Sequence, residues 1–168
     1  YSNLDALKFV KHPLYHENSE GLTGIDLAAK IGNELNNYKI LNYILKNYEE
    51  YIYNINSSSL NFLNYMTVTE QVYKLIKDNP KIDWLRLLMY KSEDNLSFMS
   101  NIFNNGSFKF INFIYNNNVN NMILNFKNES SYEINYNSDL LTRLITNMKL
   151  KNSDVINIFD KIDNKILN

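Results

Sequence analysis

Apolar residues recur at helical spacing along most of the chain, and this pattern predicts an all-α fold. The clearest instance follows a turn at Gly21, where Ile25, Ala28 and Ala29 stand at positions i, i+3 and i+4. This spacing places the three side chains on one face of a helix. Thr23 precedes them and is the predicted N-cap, because its hydroxyl can accept a hydrogen bond from a free N–H of the first turn.

A second helix is predicted directly after the first. Gly32 followed by Asn33 is typical of a helix end, and Asn47 is predicted to end the helix that follows. Between them, apolar residues again recur at helical spacing, at Leu35, Tyr38, Ile40, Leu41, Ile44, Leu45 and Tyr48. The stretch 21–47 therefore predicts a tight turn, a short helix, a bend and a second helix.

This stretch resembles the ankyrin repeat. The repeat has a turn glycine, then T-P-L-H-x-A-A, a glycine at the helix break, I-V-x-x-L-L and a closing N-G. The matching residues are Thr23, Ile25, Ala28, Ala29, Gly32, Ile40, Leu41, Ile44, Leu45 and Asn47. The chain departs from the repeat at two turn positions, where Gly24 replaces the proline and Asp26 replaces the histidine.

The I-V-x-x-L-L element has three later candidates in the chain. The four elements start at Ile40, Gln71, Phe110 and Val155, so the successive intervals are 31, 39 and 45 residues. Ankyrin units are about 33 residues long. The longer intervals therefore predict insertions, and the apolar run 84–89 is one of them.

Helix pairs are predicted at the later candidates too. The second pair covers 60–77, with its first helix over 60–69, and the third covers 96–117 with a break at Gly106. A last helix over 155–167 is predicted to cap the C-terminus, with one apolar side made of Ile156, Phe159, Ile162 and Ile166. The predicted fold is thus all-α, with stacked helix-turn-helix repeats in an irregular ankyrin-like solenoid. Another helical array or bundle is the alternative, because any all-α domain has amphipathic helix pairs.

Aromatic residues suggest either a surface patch or buried packing. One group is rich in tyrosine and follows the second predicted helix: Tyr43, Tyr48, Tyr51 and Tyr53. Tyrosine is enriched at protein interfaces, so this group is a candidate patch, and the alternative is a stripe half-packed on the next repeat. Trp84 is predicted to lie in the core with Arg86 exposed, and the alternative is an anchor in a partner's groove.

Composition narrows the class of protein. The length of 168 residues predicts one domain over 1–168, and the net charge of −1 gives no overall attraction to nucleic acid or to an acidic membrane. Cysteine is absent, so disulfides and thiolate chemistry are excluded. The apolar runs are too short to span a bilayer, and there is no signal-peptide pattern.

The origin of the chain is also suggested by its sequence. It begins at Tyr1 without a methionine, and Leu4, Leu7 and Val10 already follow a helical pattern over 2–11, which indicates a fragment of a longer protein. The bias toward Asn, Lys, Ile and Tyr suggests an AT-rich genome, such as that of a virus, a parasite or an intracellular bacterium. We therefore expect an intracellular, cytoplasmic location in the source or host cell.

Candidate chemistry is sparse. His12 and His16 are four residues apart, but Pro13 lies between them, and their spacing with Glu17 and Glu20 matches no established metal motif. Solvated loop histidines are the prediction, with no metal and no cofactor. There is no phosphate-binding glycine loop and no nucleophile motif, so an enzyme is not predicted.

Three functions remain as hypotheses. The first is a protein–protein interaction module, an ankyrin-like scaffold or adaptor whose partner is another protein. The resemblance implies a binding face of loop tips and first-helix positions, namely Asn18, Glu20, Leu22, Asp26, Lys30, Asn33, Ser58, Glu93 and Asn95. The second is a structural all-α domain that docks permanently in a larger assembly, which would leave a broad apolar patch uncovered. The third is an enzyme on an unrelated all-α fold, which would need a deep pocket with perturbed ionisable groups.

Overall fold

The structure is a computed structural model that describes residues 14–90, 97–116 and 143–166. These residues are mostly helical and include no β-strand, which confirms the all-α prediction for this part of the chain. The α-helices are α1 (Gly24–Glu34), α2 (Lys39–Asn47), α3 (Glu70–Lys77), α4 (Trp84–Met89), α5 (Phe98–Asn105), α6 (108–116) and α7 (Asn152–Ile166). Two short 3₁₀ helices are η1 (Glu49–Tyr51) and η2 (Phe62–Tyr65), and 143–146 form a single helical turn. The predicted helix over 2–11 lies outside the described residues.

Contacts between residues divide the chain into two compact units, 1–98 and 99–168. The core of the first unit is formed by fully buried side chains from α1, α2, η2, α3 and α4, namely Ile25, Leu41, Ile44, Phe62, Leu63, Val72 and Leu88. The core of the second is formed by Met99, Ile102, Phe110, Ile111, Ile114, Leu144 and Ile158. The prediction of one domain over 1–168 stays a prediction.

The apolar face predicted for α1 is confirmed. Ile25, Ala28 and Ala29 are all buried, and α1 packs against both α2 and η2. The alanines leave room for close approach because their side chains end at the Cβ atom. Burial of a side chain as large as Ile25 contributes about 1.5–3 kcal/mol to folding.

The predicted end of α1 at Gly32 is wrong, because the helix continues through Gly32 to Glu34. The chain leaves the helix at Asn36, whose φ of 48° is in the left-handed region. Asparagine tolerates this conformation better than most residues, so Asn36 fills the role expected of a glycine after a helix. The second helix starts at Lys39, and the residue predicted to begin its apolar face, Leu35, is exposed.

Gly32 has a different role inside α1. A Cβ atom at this position would lie 2.6 Å from Cδ1 of Tyr38, so only a glycine lets the tyrosine ring rest on the helix. Tyr38 is buried there and its hydroxyl donates to Oδ1 of Asn33 at 3.2 Å. The glycine therefore fixes the pairing of α1 with α2.

The first helix of the predicted second pair, over 60–69, is replaced by the short 3₁₀ helix η2. Asn61 takes an extended conformation, and its side chain accepts a hydrogen bond from the N–H of Leu63 at 3.0 Å. Met66 is extended again, so the helical stretch ends after Tyr65. Asparagine side chains compete for backbone hydrogen bonds in this way, which shortens a helix that apolar spacing alone would predict. The predicted second helix of the pair is confirmed as α3, capped by Thr69.

The prediction that Trp84 lies in the core is confirmed. Its side chain is buried edge-on to Phe62, with ring centroids 6.4 Å apart, and its indole N–H donates to the carbonyl of Asn79 at 2.8 Å. Arg86 is exposed, as predicted, and its guanidinium carbon lies 4.7 Å from the centroid of the Tyr53 ring.

In the second unit the predicted helix, glycine break and helix are confirmed as α5, Gly106 and α6. The side-chain amide of Asn147 donates to the carbonyls of Phe103 and Gly106, each at 2.9 Å, and so satisfies the end of α5. Ile156, which was predicted on one apolar side of the last helix, is 59% exposed, whereas Ile158 is buried. The side chains of the other three residues predicted on that side lie outside the described set.

Candidate functional site

The start of α1 is the best-defined polar site of the first unit. Thr23 is confirmed as the N-cap. Its hydroxyl oxygen accepts a hydrogen bond from the backbone N–H of Asp26, with the oxygen and nitrogen 3.4 Å apart. Asp26 completes the capping box, because its Oδ2 accepts from both the N–H and the hydroxyl of Thr23, at 3.0 and 2.7 Å. The carboxylate also places a negative charge in the first turn, where the helix dipole favours it.

Asp26 is buried, and besides Thr23 it has a polar partner from a distant part of the chain. The side-chain amide of Asn56 donates to Oδ2 at 3.1 Å and to the Tyr65 hydroxyl at 2.7 Å. Oδ1 has no hydrogen-bond partner among the described residues. Burial raises the pKa of Asp26 above its ordinary value, although the hydrogen bonds from Thr23 and Asn56 act in the opposite direction.

The turn before α1 is built by side chains that bond to its own backbone. Oδ1 of Asn18 accepts from the N–H groups of Glu20 and Leu22, and Gly21 adopts the positive φ of 73° that the turn requires. Lys30 of α1 then reaches back to Glu20, with Nζ 2.8 Å from Oε2. This ion pair is exposed, so it fixes side-chain orientation more than it stabilises the fold.

A second turn lies beside the first. Glu17 accepts from the N–H and the hydroxyl of Ser57, at 2.6 and 2.5 Å, which ties the turn at 17–21 to the turn at 56–59. At the other end of α1, Oδ1 of Asn33 accepts from the N–H and hydroxyl of Thr67, at 2.9 and 2.8 Å. Both ends of α1 are therefore bonded to the segment that follows α2.

The residues that the resemblance assigned to a binding face fall into an exposed group, a buried group and a group outside the described residues. The side chains of Asn18, Glu20, Lys30, Asn33 and Ser58 are exposed or half-exposed, and the structure places Asn18, Glu20 and Ser58 at the two adjacent turns. Leu22 and Asp26 are buried, so their side chains are withdrawn from the surface, where a partner would have to contact them. The burial of Asp26 has a physical reason, since its carboxylate accepts hydrogen bonds from Thr23 and from Asn56 of the neighbouring segment. Glu93 and Asn95 lie outside the described residues.

A row of tyrosine rings forms a second surface feature. Ring centroids are 6.3 Å apart for Tyr15 and Tyr51, 6.2 Å for Tyr51 and Tyr48, and 6.1 Å for Tyr48 and Tyr43. We call these four residues the tyrosine row. Tyr15 is 54% exposed and the other three are half-buried. The sequence indicated Tyr43, Tyr48 and Tyr51, but Tyr53 instead packs under Arg86, and no spacing rule identifies Tyr15, which comes from the loop before α1.

A third feature is an apolar groove between α1 and α2. It has a volume of about 230 Å³, and its apolar lining includes Leu14, Leu27, Ile31, Leu35 and Ile40. Leu27 is 38% exposed and Leu35 is 59% exposed. The groove carries little polar surface and no charged pair, so it fits an apolar side chain better than a reactive substrate.

The histidine, aspartate and glutamate side chains are dispersed in the part of the chain that the structure describes. No group of three His, Asp or Glu side chains there is close enough to hold a metal ion. His16 packs against the Tyr15 ring, with centroids 4.7 Å apart, and His12 lies outside this part. None of the described helices combines the length and the apolar character needed to cross a bilayer.

Comparisons with protein-family models, with curated proteins and with solved structures give no significant match. The resemblance to the ankyrin repeat therefore rests on the sequence alone and stays a prediction.

Proposed function

We propose that this chain is a protein–protein interaction module built from irregular ankyrin-like helix pairs. One observation carries the proposal, namely that within the first unit the hydrogen bonds between segments link residues 26 to 40 positions apart, close to one ankyrin unit. Glu17 bonds Ser57 at a separation of 40 residues, Asn33 bonds Thr67 at 34, and Asn79 bonds Asn42 at 37. A repeat that contacts only its neighbours produces links of this kind, with lengths near the unit of about 33 residues.

The placement of the two turns supports the same proposal. Stacked repeats bring successive turns side by side on one edge, and partners bind across this edge. In the first unit the turn at 17–21 lies beside the turn at 56–59, joined by Glu17 and Ser57. Each turn is held by an asparagine, Asn18 or Asn56, so the surface is ordered before a partner arrives. Such preorganisation lowers the entropy that binding must overcome.

The test is an affinity capture with the full chain from a lysate of the cells that make it, followed by mass spectrometry. The variant exchanges the exposed ion pair, Glu20→Lys with Lys30→Glu, which keeps the pair and reverses its polarity at the proposed surface. The matched control exchanges two exposed charges away from the turns, Lys77→Glu with Asp78→Lys. We expect a partner that is retained by wild type and control and lost by the Glu20–Lys30 exchange. A partner retained equally by all three chains would contradict binding at this surface.

The second candidate function is a structural domain docked permanently in a larger assembly, and the apolar groove favours it. Leu27 and Leu35 leave apolar surface exposed beside α1, which a permanent neighbour would cover. Under this function, replacing both with serine would abolish assembly while leaving the fold intact, because exposed side chains contribute little to stability. Unchanged assembly in this variant would remove the groove as a docking site.

A further inference from the structure

The tyrosine row is accompanied by acidic groups. Glu49 and Glu50 lie in η1 next to Tyr51, and both side chains are exposed. In the portion of the chain that the structure describes, neither forms an ion pair. Burial raises the pKa of Tyr48 above its ordinary value. The neighbouring Tyr43 hydroxyl and the negative charge of Glu50 raise it further. One lysine, Lys46, occupies the last turn of α2.

This combination selects for cations. The face of a tyrosine ring carries the negative part of its quadrupole, so it attracts a positive group that lies over it. Glu50 adds a full negative charge beside Tyr48, and Glu49 precedes Glu50 in η1. A phosphate backbone would be repelled here, which disfavours nucleic acid although bases stack well on tyrosine.

The chain itself shows which cation suits its tyrosines. Arg86 places its guanidinium carbon 4.7 Å from the ring centroid of Tyr53, which belongs to the same tyrosine-rich segment as the row. The guanidinium is planar and weakly hydrated, so it stacks on aromatic rings and pairs with carboxylates more readily than an ammonium group does. Tyr53 is occupied in this way, whereas the four rings of the tyrosine row contact one another and His16.

We propose that the tyrosine row is a docking surface for an arginine-containing segment of a partner protein, whose guanidinium groups stack on the rings and pair with Glu49 and Glu50. The inference rests on the proposed interaction function and names a surface separate from the Glu20–Lys30 turn. It also names the chemistry of the partner, which the turn alone does not.

The direct test uses the full chain and short blocked peptides, with binding measured by calorimetry or by NMR titration. The probe alternates arginine with glycine. One matched peptide has lysine in place of arginine, which keeps the charge, and another has citrulline, which keeps the planar shape without charge. We expect the arginine peptide to bind severalfold more tightly than the lysine peptide and the citrulline peptide to bind least. Equal binding of the arginine and lysine peptides would overturn the proposal.

Variants locate the site. Tyr48→Leu removes a ring from the middle of the row and should weaken the arginine peptide about fivefold or more, whereas Tyr48→Phe keeps the ring face and should bind like wild type. Glu49→Gln with Glu50→Gln leaves the rings in place and should lower both affinity and its salt dependence, so it tests the surface even if Tyr48→Leu fails to fold. Leu35→Ser, in the apolar groove, is the control and should bind normally.

Other outcomes separate the two proposals. If the affinity-captured partner depends on Glu20 and Lys30 but the arginine peptide does not bind, the inference about the tyrosine row fails and the proposed function stands. If the arginine peptide binds but the Tyr48→Leu and Glu49–Glu50 variants bind it unchanged, the row is not its site. Preferential binding of a single-stranded oligonucleotide would likewise overturn the assignment of an arginine segment.

Discussion

At the scale of single residues, Asp26 stands out because a carboxyl group is buried with only one of its oxygens satisfied. Oδ2 accepts three hydrogen bonds from Thr23 and Asn56, while Oδ1 has no partner among the described residues. The charged form loses its hydration on burial, and this loss outweighs the hydrogen bonds, so the pKa is raised. Asp26 therefore ties α1 to the 56–65 segment at the cost of a poorly solvated charge.

This arrangement predicts how stability changes with pH. The folded chain holds the Asp26 proton to a higher pH than the unfolded chain, in which an aspartate has a pKa of about 3.9. The unfolded state therefore binds fewer protons between the two pKa values, and the contribution of Asp26 to stability falls as pH rises through its folded pKa. Asp26→Asn does not titrate, so its stability relative to wild type should increase from acid to neutral pH.

Urea unfolding of both chains, at a pH below the unfolded value and at neutral pH, measures this difference. Asp83→Asn is a suitable control, because Asp83 is an exposed helix cap of α4. Parallel pH profiles for wild type and Asp26→Asn would show that the carboxyl is better solvated in solution than its burial indicates.

Ala29 is fully buried where α1 packs against η2 and α2. Ala29→Phe, or Ala28→Leu beside it, should lower the free energy of unfolding by about 1–3 kcal/mol through overpacking. The change is measured by chemical or thermal unfolding. Leu27→Ala on the exposed side of the same helix is the control, and we expect it to stay within about 0.5 kcal/mol of wild type. A neutral Ala29→Phe variant would count against close helix packing and against the proposed ankyrin-like pairing.

At the scale of elements, the contact between Gly32 and Tyr38 sets the geometry of the α1–α2 pair. Alanine is normally the better helix former by about 1 kcal/mol. Here a Cβ atom would meet the buried Tyr38 ring at 2.6 Å. We therefore expect Gly32→Ala to destabilise the chain by about 1–3 kcal/mol in urea unfolding, against the direction of helix propensity.

A double-mutant cycle checks the cause of this loss. Tyr38→Leu alone should be destabilising, since it shrinks a buried side chain. Adding Gly32→Ala to Tyr38→Leu should cost much less than Gly32→Ala costs in wild type, because the ring that clashes is gone. Additive effects would place the strain somewhere other than the contact with Tyr38.

The limits of prediction from sequence are also visible in the elements. The Thr23 cap and the Ile25 face could be predicted, because both depend on neighbours in the same turn of helix. The end of α1 and the shortening of η2 could not, since each depends on the conformation of one asparagine, Asn36 or Asn61. An asparagine can end a helix, cap one or lie in a loop, and apolar spacing does not distinguish these roles.

The candidate site was harder to predict for the same kind of reason. Local spacing identified three members of the tyrosine row, but Tyr15 joins them from a loop, and Tyr53 leaves them for Arg86. Asp26 was expected on a binding face because of its place in the ankyrin pattern, whereas contact with Asn56 buries it. A single sequence does not show which individual residues about thirty or more positions apart contact one another.

At the scale of the whole molecule, the division of contacts into the units 1–98 and 99–168 leads to a prediction about folding. The first unit has its own core and its own hydrogen bonds between segments. We therefore expect a chain of residues 1–98 to be helical by circular dichroism and to unfold cooperatively. Non-cooperative unfolding would favour the single domain that the length of the chain predicts. Full-length protein with Ile25→Ala provides the comparison, since it weakens the first core without removing the second unit.

The hydrogen bonds that link neighbouring segments have one more consequence, which concerns evolution rather than binding. In the first unit each closes a loop of 26 to 40 residues, the shortest between Asn61 and Leu87 and the longest between Glu17 and Ser57. The entropy of closing a loop grows only with the logarithm of its length, so doubling the loop costs about 0.6 kcal/mol. Extra residues in the loops between helices therefore add little entropic cost. A lineage that kept these contacts and the buried faces of the helices could lengthen the loops between helices without losing the fold.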